Sequence, residues 1–145
     1  MNETELERAV RRRVLGAHAS VVEDVVACAG SVAEAWDGDA TSDRAALVEP
    51  LEERLRETGV LADLPTVLAA AVDAAGGELS ATPVAAPPYV VITSTGPLLR
   101  ATIDQGRLVV AVRTFAVERD TDEGGVSYAH RDVVPEEALD VSLEG

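Results

Sequence analysis

Lysine is absent from this chain, and cysteine, methionine, tryptophan and phenylalanine occur once each beside two tyrosines. Each scarcity closes a class of structure. A single cysteine, Cys28, forms no intrachain disulfide and builds no cysteine-rich zinc site, which suits a reducing cytoplasm. With few aromatics the core must come largely from Ala and Val, side chains that each bury little area. No apolar run approaches the ~20 residues of a membrane helix. The opening residues Met1-Asn2-Glu3-Thr4-Glu5 are acidic where a secretory signal is basic. The expectation is a cytoplasmic protein with no membrane span.

What is abundant is negative charge. Asp and Glu number 26 against 12 basic residues, all arginine, for a net charge of -14 at pH 7. The carboxylates are scattered along the chain, so there is no discrete acidic tail. In dilute buffer they repel one another, whereas at molar salt the Debye length falls to about 3 Å and the repulsion nearly vanishes. A DNA reader needs cations at phosphates and long polar side chains at base edges, so this charge argues for no nucleic acid among the partners.

At 145 residues one domain, 1–145, is the default. Residues 1–77 read as helical. One long helix is expected from about Thr4 to Trp36, opened by a Thr4-Glu5-Leu6-Glu7 capping box. Its stripe is Leu6, Val10, Val14, Ala17, Val21, Val25, Cys28, Val32 and Trp36. A second helix follows the Thr41-Ser42-Asp43 cap with Leu47, Leu51 and Leu55, and Pro50 should kink or restart it. Gly59 closes it, Pro65 sits in the first turn of a third helix, and Gly76-Gly77 ends that one.

Residues 78–88 hold three prolines and form a connector. Residues 89–145 read as strands at Tyr89–Thr95, Leu98–Asp104, Arg107–Arg119, Ser127–Asp132 and Ala138–Leu143, broken at Gly96-Pro97, Gln105-Gly106 and Gly124-Gly125. Val109 to Val112 is apolar on both faces and should be central. The predicted fold is α+β: three N-terminal helices, the first long, packed on a C-terminal four- to five-stranded antiparallel meander.

Scattered carboxylates, absent lysine, abundant Ala and Val and the sheet entry Pro87-Pro88-Tyr89-Val90-Val91-Ile92-Thr93 together resemble the small uncharacterised proteins of haloarchaea, of the domain-of-unknown-function type. The resemblance covers the whole chain and implies folding in a saline cytoplasm, with no activity attached.

Few residues invite chemistry. His18 falls inside the apolar face of the first helix between Val14, Val21 and Val25, and no second metal ligand lies three or four residues away, so its role is structural. Cys28 lies on the same stripe and packs as a small hydrophobe. Strand alternation places Tyr128, His130 and Asp132 on one face, either an acid–base trio or a solvated edge. Arg100, Arg107, Arg113, Arg119 and Arg131 lie in the sheet half, with Arg113 sharing a strand face with Val109 and Phe115. They either line an anion pocket or pair across the ladder with Asp104, Glu118, Asp120, Asp132 and Asp140. No nucleophile elbow, dinucleotide fingerprint or phosphate loop is present.

No catalytic residue, metal or cofactor is therefore assigned. The expected function is a non-enzymatic interaction module of a halophile, partnering itself or another protein, because the first helix carries a wider apolar arc than one sheet needs. The alternative is a small-molecule or anion-binding protein, with enzyme activity left open, using Arg100, Arg113, Tyr128 and His130.

Overall fold

A computed structural model describes residues 2–119 and 125–144. Two helices stand where one was expected. The first, α1 (Glu3–Ala17), meets α2 (Ala19–Glu34) at an 81° bend. Running straight from Thr4 to Trp36, one helix would be about 50 Å long, against a radius of gyration of about 15 Å for a domain of this size. Its ends would leave the core, so tertiary packing folds it in two. His18 is the joint: its N–H donates to Val14 and its carbonyl accepts from Val21 and Val22. The imidazole is therefore half-buried at a helix junction and not embedded in an apolar stripe. Asn2, not Thr4, caps α1, accepting the Glu5 N–H at 2.8 Å.

A two-residue strand, β1 (Ala40–Thr41), precedes α3 (Ala45–Glu57) and α4 (Val60–Ala74). Four helices thus precede the main sheet, where three were expected. Pro50 and Pro65 both lie inside their helices, and neither kinks the chain enough to end one. Pro50 lacks the N–H that would bond the carbonyl of Ala46. The indole N–H of Trp36 donates to that carbonyl instead, at 3.2 Å, so the helix continues with the vacancy filled. Gly59 (φ 84) ends α3 as expected, and Gly76 (φ 77) with Gly77 closes α4 through bonds to Asp73 and Val72.

Strands β2 (Val90–Thr93), β3 (Gly96–Ile103) and β4 (Gly106–Val112) form an antiparallel meander. The chain then leaves this sheet at Arg113–Thr114, enters β5 (Phe115–Arg119) and β6 (Val126–His130), turns through the short α5 (Pro135–Ala138) and returns as β7 (Leu139–Glu144). The orders are β2-β3-β4-β7 and β1-β6-β5: two antiparallel sheets in place of one, with β4 central as its apolar character implied. The Gly124-Gly125 break lies partly outside the described residues.

Val90, Leu99, Ala101, Ile103, Leu108, Val110, Val112 and Leu139 face the helices and are buried. They meet Leu6, Val10 and Val14 of α1, Val25 and Val32 of α2, the leucines of α3, and Leu64, Leu68 and Val72 of α4 in one core. The expectation that helices cover one sheet face holds. By register, Val91, Leu98, Arg100, Thr102, Arg107, Val109, Asp140, Ser142 and Glu144 occupy the other face.

Two long-range devices lock the layers. Thr114 and Phe115 both donate to the carbonyl of Thr95, at 2.8 and 3.1 Å, where the chain changes sheets. Along the free edge of β7, Glu7 of α1 accepts the Leu143 N–H at 3.1 Å, and Arg11 donates to the carbonyls of Leu139, at 2.6 Å, and Glu136. Side chains one helical turn apart thus occupy edge groups that another strand could otherwise pair with. Two residues on, Arg13 of α1 pairs with Asp73 of α4 at 2.8 Å.

Candidate functional site

The four residues expected to share a site lie in three places. Arg113 is in no strand: it sits at the crossing between sheets, not on a face with Val109 and Phe115, and its guanidinium pairs with Asp140 at 2.9 Å. Its carbonyl accepts from the side chain of Arg131 at 2.9 Å, and its N–H donates to Ala138. Arg113 also lines a pocket of about 410 Å³ with Thr95, Arg131, Glu137 and Asp140, so there its charge is already met by a carboxylate.

Tyr128 and His130 belong to the smaller sheet. Tyr128 is half-buried against the core, opposite Val117 and Thr41. His130 is opposite Phe115, their rings edge to face with centroids 5.9 Å apart, and Trp36 lies 5.6 Å beyond Phe115. His130 Nε2 is buried without a hydrogen-bond partner among the described residues. It lies near Gly30 of α2, where an added Cβ would sit 3.9 Å away. A groove of about 720 Å³ runs past these rings, lined by Ser31, Glu34, Trp36, Asp39, His130 and Asp132 among others. Asp132 lies beyond the end of β6 and reaches this groove with His130, without an ion pair to it among the described residues, whereas Tyr128 does not line the groove, so the expected trio is not assembled. The described residues contain no group of three or more His, Cys, Asp or Glu able to hold a metal ion.

Arg100 enters a further pocket, about 320 Å³ in volume, lined by Leu79, Ser80, Pro88, Tyr89, Arg100, Ala101, Thr102 and Arg107. Strand pairing builds it. Thr102 of β3 is directly opposite Arg107 of β4, and Arg100 lies two residues back on the same outer face. Arg100 Nε donates to the Pro88 carbonyl at 3.0 Å, which fixes the plane of the guanidinium. No carboxylate lies within ion-pairing distance of Arg100 or Arg107 among the described residues.

The pocket exists because the β2 ladder stops. Arg100 N–H donates to the Tyr89 carbonyl, so alternation turns the peptide groups of Thr102 toward the same edge. The position there is Pro87, which offers no N–H. Pro87 and Pro88 thus leave a gap beside β3, walled on its far side by Leu79 and Ser80 after α4. Arg107 was named from the sequence only as one of five sheet arginines, and Thr102, Ser80 and Tyr89 were not named as site residues. The signal was the turn at Asp104-Gln105, which pairs Thr102 with Arg107 once the hairpin register is set.

Among the described residues no single helix is long and apolar enough to cross a membrane; α1 and α2 reach that length and apolarity only together, across their 81° bend. No curated protein and no solved structure matches this chain. A family model does match, over residues 8–144, which takes in every helix and strand of both sheets apart from the first turn of α1. By that match the chain belongs to the family described as a domain of unknown function, DUF7988.

Proposed function

We propose that this chain is a binding domain that holds a small anion at Arg100 and Arg107, without turning it over. One observation carries the reading. In a chain with more than two carboxylates for every arginine, two neighbouring guanidiniums line a pocket with no carboxylate within ion-pairing distance among the described residues. Scattered acids would be expected to neutralise them, as Asp140 does Arg113. The hydroxyls of Ser80 and Thr102 add donors to the same pocket. Neither His130 nor Cys28 lines it, so the reading assigns binding and no catalytic group. The test is calorimetric titration with inorganic phosphate, repeated on Arg100→Ala/Arg107→Ala. Saturable heat lost in the double variant supports the reading, and no heat in the parent chain defeats it.

A second reading is self-association through the outer face of the four-stranded sheet. Half-buried Val91, Leu98 and Val109 lie on that face, opposite the face that packs on the helices. Its charges divide, Arg100 and Arg107 toward β3 and β4, Asp140 and Glu144 on β7, so two copies related by a two-fold axis could bring opposite signs together. This replaces the earlier motive, since the 81° bend lets each half of the expected long helix bury its own stripe. Native mass by light scattering in about 1 M KCl, where screening is nearly complete, decides it: a monomer at all concentrations rules it out. The saline, cytoplasmic setting stays part of the proposal, supported by composition.

A further inference from the structure

The pocket at Arg100 and Arg107 has two unlike kinds of lining residue. Arg100, Arg107, Ser80 and Thr102 supply donors, and Leu79, Pro88 and Tyr89 supply apolar surface. From this division we infer that the ligand is a phosphate monoester carried on a small ring, with phosphate against the arginines and the ring against Tyr89 and Pro88. The inference rests on the anion reading above and narrows it.

Donor supply favours phosphate over carboxylate. A carboxylate presents two oxygens in one plane, whereas a monoester presents three terminal oxygens and a charge near -2. The Arg100 Nε is already spent on Pro88, which leaves its terminal nitrogens. Arg107 contributes a whole guanidinium fork, Ser80 and Thr102 contribute hydroxyls, and the Thr102 N–H faces the gap where the ladder ends. Those donors come from three chain segments and converge on a volume, an arrangement that a tetrahedral group satisfies better than a planar one.

Size and shape favour a ring. A volume of about 320 Å³ exceeds the needs of bare phosphate and lies at the small end of ligand pockets. Tyr89 is half-buried, lines the pocket with Arg100, and accepts the Arg100 N–H at its carbonyl. An aromatic or sugar ring laid on Tyr89 would therefore sit next to a phosphate held by Arg100. Glu144 is opposite Arg107 across the β4–β7 ladder without an ion pair to it among the described residues, and its negative charge there would lower the affinity for any anion.

Calorimetric titration of the full chain with inorganic phosphate, phenyl phosphate and benzoate tests the inference. Phenyl phosphate should bind about tenfold tighter than phosphate, and benzoate more weakly than either, a tenfold ratio being about 1.4 kcal/mol. Tyr89→Leu should bring the affinity ratio of phenyl phosphate to phosphate toward one. Arg107→Gln, at an exposed site, should weaken both phosphates, and Glu144→Gln should tighten both. Equal affinity for phosphate and phenyl phosphate overturns the ring, and benzoate binding as well as phenyl phosphate overturns the phosphate head; in both cases the anion reading survives. Silence from all three ligands removes the anion reading and this inference together.

Discussion

The two sheets teach different lessons. In the four-stranded sheet β2, β3 and β4 are joined by tight turns, and their helix-facing residues are aliphatic and buried. The three-stranded sheet takes β1 from the helical half and pairs Ala40 with Ala129, far away in sequence. Every residue of β6 is only half-buried. One sheet is held by local connection and a dry face, the other by long-range closure over a groove. Loop-closure entropy opposes the second more than the first.

The sharpest break in that contrast is Leu108→Ala in central β4, where the side chain is fully buried and the loss should be about 3 kcal/mol by urea denaturation. Tyr128→Ala in β6, where the side chain is half-buried, should cost clearly less. Equal losses would mean that the sheets are equally essential to the core. Gly96→Ala strikes the joint between the sheets. Its φ is 132, and a Cβ there would lie 2.1 Å from the carbonyl oxygen of Val112, so a loss of about 2–3 kcal/mol is expected. A silent Gly96→Ala would show that the β2–β3 turn does not brace the crossing.

Trp36→Phe keeps a ring beside Phe115 and removes the donor to Ala46, so it should cost about 1 kcal/mol. In a Pro50→Ala background residue 50 can bond Ala46 itself, and the same substitution should cost less. An unchanged cost would refute the account of how α3 tolerates its proline. The smallest effect has the opposite sign. Gly30→Ala places a Cβ 3.8 Å from the His130 ring, an ordinary contact, and should stabilise α2 by up to about 1 kcal/mol in thermal unfolding. Destabilisation instead would mean that the imidazole needs the room.

Much of the fold was legible. Leucines four residues apart placed α3, Gly59 and Gly76-Gly77 marked helix ends, and Val109 to Val112 announced a central strand. The errors share one cause: periodicity records which residues are apolar and not where a chain must turn. The stripe from Leu6 to Val32 continues across His18, so only the size of the core reveals the bend. Likewise β-branched residues run through Arg113, and the crossing there depends on Thr95, which accepts bonds from Thr114 and Phe115. For the site, Arg100 was found and Arg107 was named among five, but the pair could not be separated from Arg113 before the register placed Asp140 beside the latter.

Charge, the α+β division, the helix ends and the centrality of β4 follow from the sequence by itself, because solvation, capping and alternation act over a few residues. The division into two sheets, the joint at His18, the Glu7 and Arg11 contacts along β7 and the meeting of Arg100 with Arg107 beside Ser80 were decided only by tertiary structure. Each depends on segments distant in the chain competing for one core, and the outcome of that competition is set by volume and by which backbone groups remain unpaired.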